Sequence, residues 1–185
     1  MIEEIKKDAD DRMGKSLEVL TSVFARIRTG RANPGLLDGI EVDYYGNSTP
    51  LNQVASITVE DARTLAISPW EKNLVPEIEK AVLKSDLGIT PSSTGDLIRV
   101  PLPALTEENR KDLARQAKHE AENARIAIRN IRRDAIGDVR ELVKEKEVAE
   151  DDAHRGEDDI QKLTDRRVAE VDSALNAKEA DLMEV

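Results

Sequence analysis

Residues 107 to 143 read EENRKDLARQAKHEAENARIAIRNIRRDAIGDVRELV, and the spacing of apolar side chains in this stretch decides the fold. Leu113, Ala117, Ala121, Ala124, Ile128, Ile131, Ala135, Val139 and Leu142 recur at steps of three and four, which lines one face of an α-helix. Thr106-Glu107-Glu108-Asn109 in front of them is a helix start signal. At 1.5 Å per residue the predicted helix is on the order of 50 Å long. A face of that length cannot bury itself, so the chain must supply matching stripes.

Two such stripes are present. Residues 2 to 27 place Ile5, Ala9, Met13, Leu20, Val23 and Ile27 on one face, with Ser16 in the stripe and Leu17 and Phe24 widening it. Residues 150 to 183 do the same through Ile160, Leu163, Arg167, Val171, Leu175, Lys178 and Leu182, where the Arg and Lys stems cover apolar surface. Gly137 and Gly156 weaken these helices by about 1 kcal/mol each relative to Ala without breaking them. The expected architecture is therefore a three-helix bundle formed by residues 1–29 and 106–185.

Between the first two helices the character changes, because residues 30–105 hold all seven prolines. Ile40 to Tyr44 alternates, Tyr45-Gly46-Asn47 turns, and Val54–Val59, Thr64–Ser68 and Leu97–Val100 are strand candidates. Leu74–Leu83 reads as a short helix with Pro76 tolerable in its first turn. The class is thus α+β, with a small β-rich α/β domain inserted into the bundle. Its connectors, Thr29–Pro34 and Val100–Leu105, suggest a hinge at Gly30, Arg31, Pro101, Pro103, Ala104 and Leu105, the alternative being a rigid elbow fixed by proline.

Composition excludes much chemistry. The absence of cysteine removes disulfides, thiolate metal sites and cysteine nucleophiles, and favours a reducing compartment. With neither a signal-peptide core after Met1 nor a run of roughly 20 apolar residues, the chain is expected in the cytoplasm with no membrane partner. No phosphate-cradling glycine motif occurs, and His119 and His154 lie in charged helical stretches as solvated side chains. Glu150-Asp151-Asp152 and Glu157-Asp158-Asp159 lack the ligand spacing of a calcium loop and read as charge near a helix start. Trp70 reads as a packing anchor of the small domain. No cofactor, metal or small-molecule substrate is expected, no enzymatic activity, and a monomer.

The net charge of −10 argues against a nucleic-acid partner until it is divided along the chain. Residues 141–185 hold seven bases and fifteen acids, whereas residues 106–140 hold nine bases and seven acids. At about 100° per residue, Arg115, Lys118, Arg125, Arg129, Arg132, Arg133 and Arg140 share one flank of the second long helix, opposite Glu120, Asp134 and Asp138. This flank is either a phosphate-binding face or a bundle surface whose arginines bridge to the acidic third helix. Arginine's planar fork favours phosphate.

Seven motifs occur in order along the chain: Thr29-Gly30-Arg31-Ala32-Asn33-Pro34, Val42-Asp43-Tyr44-Tyr45-Gly46, Thr49-Pro50-Leu51-Asn52-Gln53, Ser85-Asp86-Leu87-Gly88, Ile98–Pro103, Arg129–Ala135 and Lys162-Leu163-Thr164-Asp165. In these the sequence resembles the ribosome recycling factor family over essentially its whole length. The resemblance implies an L-shaped molecule similar in outline to tRNA, which works with elongation factor G to separate ribosomal subunits after termination. It also implies large-subunit ribosomal RNA contacts through arginines matching Arg28, Arg31, Arg129 and Arg132; Arg133 joins them from its place in the run. The sequence departs from the family at Ala149, where a helix-capping Ser is common, and at Gly156. Two other classes remain beside this reading: a coiled-coil adaptor working through its acidic end, and a metal-dependent hydrolase using the carboxylate clusters.

Overall fold

The computed structural model describes residues 1–184. The chain forms two compact units: Met1–Phe24 with Ala114–Ala180, and Ala25–Leu113 with the residues from Asp181 onward.

The first unit is built from the greater part of three long helices, α1 (Ile2–Arg26), α3 (Glu107–Lys144) and α4 (Glu150–Met183), whose ends at Ala25–Arg26, Glu107–Leu113 and Asp181–Met183 belong to the second. The predicted stripes become its core. Met13, Ile128 and Ile160 have no exposed surface, and Ala9, Ala117, Ala121, Ala135 and Val171 are buried beside them. Fully burying a side chain the size of Met or Ile contributes about 1.5–3 kcal/mol. Alanine supplies the buried positions in the first half of α3, at Ala117, Ala121 and Ala124. Each pair of helices is also bridged by charge: Lys6 to Asp159 at 2.8 Å, Arg12 to Asp134 at 3.4 Å and Arg125 to Asp172 at 2.6 Å.

On α4 the stripe shifts slightly from the expected one. Thr164 is buried and Leu163 only half-buried, because the Thr164 hydroxyl donates to the Ile160 carbonyl at 2.8 Å and so carries no unmet polar group inward. Gly156, inside α4, is also buried; a Cβ there would stand 2.8 Å from Cγ2 of Ile2. The glycine therefore permits close approach of α1 and α4. The turn between α3 and α4 closes with the Glu147 amide on the Leu142 carbonyl and the Lys146 amide on the Val143 carbonyl, both at 2.9 Å, with Lys146 at φ 60°. This double bond pattern caps the helix C-terminus, with lysine where glycine is usual. α4 then opens with the Ala153 amide on the Ala149 carbonyl, at 3.0 Å.

The second unit carries two antiparallel sheets. One is a hairpin of β1 (Glu41–Tyr44) and β2 (Asn47–Pro50), in which Tyr44 faces Asn47. Tyr45 and Gly46 both have positive φ, as a two-residue turn matching strand twist requires, and Asp43 accepts the Gly46 amide at 2.8 Å. The other sheet contains β3 (Ala55–Asp61), β4 (Thr64–Pro69), β5 (Ser92–Thr94) and β6 (Leu97–Pro101) in the order β3-β4-β6-β5. The helix α2 (Val75–Lys84) buries Ile78 and Val82 in a core shared with Leu65, Ile67, Ile98 and Val100.

That core is filled by aliphatic side chains, and Trp70 is not in it. Expected as a packing anchor, Trp70 is 66% exposed. Proline at position 69 ends β4, and Leu74 takes the next buried position in the chain. The two connectors meet the sheet at one turn: the Ala32 amide donates to the Ala62 carbonyl and the Leu102 amide to the Arg63 carbonyl, both at 2.7 Å.

Candidate nucleic-acid interface

The helix start expected before α3 forms as read, with the Thr106 hydroxyl oxygen accepting the Asn109 amide at 3.1 Å. From there the buried run Ala117, Ala121, Ala124, Ile128, Ile131, Ala135 and Val139 fixes the rotation of the helix and therefore which flank its arginines occupy.

The arginines of that flank fall into two groups. Arg125 gives Nε and Nη2 to Asp172 at 2.9 and 2.6 Å and Nη1 to Glu122 at 3.1 Å, with its side chain only 19% exposed. The bond to Asp172, outweighing desolvation, raises its pKa above the ordinary arginine value. Arg140 gives Nε to Glu157 at 2.8 Å, and Arg115 is also engaged within the protein. These residues bridge or brace the fold, as one of the two sequence readings allowed.

Arg129, Arg132 and Arg133 differ. Arg129 reaches Glu122 only at 3.5 Å, on a carboxylate already shared with Arg125. Arg132 meets the neutral amide oxygen of Gln161 at 3.5 Å. Both distances lie beyond the usual range for such bonds. Arg133 is exposed and has no acceptor among the described residues. Three guanidinium groups within five consecutive residues are thus weakly held or unheld on one helix surface, Arg129 and Arg133 exposed and Arg132 half-buried.

The sequence held a signal that separates these groups. Arg125 and Arg140 are fifteen residues apart on α3, and their partners Asp172 and Glu157 are fifteen apart in the reverse direction on α4. Antiparallel register alone would have matched those acids to those bases. It would also have matched Asp165 to Arg132, but the Gln161 amide takes that carboxylate at 2.8 Å.

Arg28 and Arg31 belong to the second unit. Arg28 is half-buried, and its Nε and Nη2 are shielded from solvent without an acceptor; burial lowers its pKa. Arg31 is exposed and forms an ion pair with Glu184. Its backbone amide bonds the Thr29 hydroxyl at 3.3 Å. Of the remaining connector residues, Pro101, Pro103 and Ala104 are exposed, Leu105 is buried, and Gly30 is half-buried.

Among the described residues no group of three His, Cys, Asp or Glu side chains is placed to hold a metal. His119 and His154 are exposed. No helix of the described chain is long and apolar enough to cross a membrane.

The chain is similar over its whole length to known proteins. The family model described as ribosome recycling factor matches residues 20–183. A ribosome-recycling factor from Marinomonas sp. (strain MWYL1) is 64% identical, and one from Saccharophagus degradans 61%, each over 100% of both chains. The solution structure of a ribosome recycling factor superposes with a TM-score of 0.78 at 38% identity, covering 100% of this chain and 98% of that one. A second match is to models of the T. thermophilus ribosome recycling factor and E. coli elongation factor G bound to the E. coli post-termination complex. It has a TM-score of 0.70 at 45% identity over 100% of both chains. With a family model spanning most of its length and full-length relatives above 60% identity, this chain belongs to the ribosome recycling factor family.

Proposed function

We propose that this protein releases ribosomes after termination by splitting the post-termination complex together with elongation factor G, in the cytoplasm, and that its bundle docks on large-subunit ribosomal RNA through α3. Family membership makes it a non-catalytic translation factor, so its work consists of binding and movement. The relative from T. thermophilus is described with elongation factor G on a post-termination complex, which supports the same two partners here.

The observation that carries the RNA face is the contrast along one helix. Arg125 and Arg140 are committed to carboxylates of α4, while Arg129, Arg132 and Arg133 keep their donors available. A guanidinium whose fork is unspent binds phosphate bidentately without first breaking a structural bond. Arg31 supplements this set, its carboxylate partner Glu184 being replaceable by a phosphate. Arg28 brings two donors that the protein leaves unmet, which a phosphate oxygen would satisfy.

The division of labour follows the proposed domains. Residues 1–29 and 106–185 bind, with Arg31 added from the connector, residues 30–105 receive the action of elongation factor G, and Gly30, Arg31, Pro101, Pro103, Ala104 and Leu105 form the hinge. The bonds that fasten both connectors to the Ala62–Arg63 turn support this for Gly30, Arg31, Pro103, Ala104 and Leu105, because they confine free rotation to connector residues beyond the sheet, whereas Pro101 itself pairs with Thr64 at the end of β6. The test is titration with purified large subunits at several salt concentrations. RNA docking through these arginines must weaken steeply as salt rises; affinity independent of salt would overturn the reading in favour of a protein-docking rod.

A further inference from the structure

Three of the four aromatic residues in this chain lie at one surface of the second unit. Tyr45 and Trp70 are 68% and 66% exposed, and the Tyr44 ring meets Tyr45 edge-on with centroids 4.7 Å apart. Between Tyr44 and Trp70 is a recess of about 260 Å³, lined also by Gln53, Val54, Glu71 and Leu74. It is smaller than the roughly 300 Å³ at which sites for small molecules begin, and suits a single side chain. Its one charged lining residue is Glu71, whose Oε2 is shielded from solvent and has no hydrogen-bond partner. The Glu71 carboxylate beside the Tyr44 hydroxyl raises the tyrosine pKa. Lys72, the adjacent base, reaches Asp96 at 3.4 Å.

A shielded carboxylate oxygen without a donor is costly, and a native structure that retains one calls for an explanation. The ligand that answers every feature is a flat cation, stacked on the indole face while donating to the carboxylate. We propose that this recess captures an arginine side chain presented by a partner protein, with Trp70 and Tyr44 as walls and Glu71 as the anchoring acceptor. Exposed Trp and Tyr beside a pocket for Arg are the residue types that dominate protein–protein binding energy. The alternative occupant, a stacked nucleobase of RNA, is disfavoured by charge. The recess offers a carboxylate and no base to a phosphate backbone, and residues 30–105 hold ten acids against six bases. This proposal is independent of the α3 arginines, which lie in the other unit.

Trp70 is the only tryptophan, so its emission reports on the recess in the intact protein. The probes are a terminally blocked Gly-Arg-Gly peptide, the same peptide with neutral citrulline, and a single-stranded RNA oligonucleotide, all at matched ionic strength. The arginine peptide is expected to change Trp70 emission saturably, with the citrulline peptide weaker by about tenfold because charge-assisted bonds are lost. Glu71→Gln should weaken arginine-peptide binding by about the same factor with an unchanged melting temperature. Equal responses to the two peptides, or a response to RNA alone, would overturn the proposal. The peptide contrast is made on the native sequence, so it decides the matter even if Glu71→Gln disturbs folding.

Discussion

Replacing Arg132 and Arg125 separately with alanine should divide binding from stability. Arg132 gives up only a 3.5 Å contact to a neutral amide, so Arg132→Ala should change stability by no more than about 0.5 kcal/mol. If its fork binds a phosphate, the same change should cost about 1–3 kcal/mol of large-subunit affinity, some 5- to 150-fold in Kd. It should also lower the slope of log affinity against log salt by about one. Arg125 is the reverse case. Its two bonds to Asp172 and one to Glu122 are charge-assisted and partly shielded, and Asp172 is half exposed, so Arg125→Ala should cost about 1–3 kcal/mol of stability. For a protein of this size that is a fall in melting temperature of roughly 2–4 °C per kcal/mol. Affinity of the still-folded protein should stay within about threefold of the original. Calorimetry and a subunit titration at three salt concentrations read both quantities. If Arg132→Ala lowers melting temperature and affinity together, or Arg125→Ala loses affinity at an unchanged melting temperature, the division of the flank into bracing and binding arginines is wrong.

Other substitutions test the fold that holds this face. Ala149→Ser should stabilise by about 0.5–2 kcal/mol in urea unfolding by supplying the missing side-chain acceptor at the start of α4. Gly137→Ala, with nothing within 4 Å of the new Cβ, should gain about 1 kcal/mol from helix propensity. Gly156→Ala should fail to gain, because its Cβ would meet Ile2 at 2.8 Å, and Ile2→Ala should restore the gain in the double variant. The hydrogen bond from Lys6 holds the Asp159 carboxyl below its ordinary pKa, and the bond to Asp159 raises Lys6. The clasp is thus fully present between roughly pH 4 and 10, is lost in acid as pH falls through the lowered Asp159 pKa, and is lost in base as pH rises through the raised Lys6 pKa. In an NMR titration Lys6→Ala should return Asp159 toward about 3.9.

Much of the fold could be read in the sequence because its strongest signals were periodic. All three long helices are legible from aliphatic positions, most of which the structure buries, while Ile5, Val23, Leu113, Leu142 and Leu163 are half-buried; Gly137 and Gly156 lie within helix as expected. The strands with one apolar face were also legible. β2 and β5 were not, since Asn47-Ser48-Thr49-Pro50 and Ser92-Ser93-Thr94 lie at sheet edges and are almost wholly exposed, leaving no apolar alternation to detect. Trp70 was misread because size and hydrophobicity are weak guides to burial when the core is already filled by Leu, Ile and Val. Of the candidate site, the flank was visible from helical angle alone. Which arginines on it remain available depended on the acids of α4, a relation carried by tertiary register rather than by any local pattern.

The clasp between Lys6 and Asp159 joins residues 153 positions apart, which gives the nascent chain a schedule. At about 5–20 residues per second, α1 waits on the order of 8–30 s after its own synthesis for the helix that completes its core. Through that interval Met13, Leu20 and Phe24 have only part of their final cover. The sheet of the inserted segment, whose strands pair within a span of about 50 residues, can close meanwhile. The part of the molecule made in the middle is thus finished before the part made first. Stability of the inserted segment, rather than of the bundle, should decide how well the emerging chain survives proteolysis during synthesis.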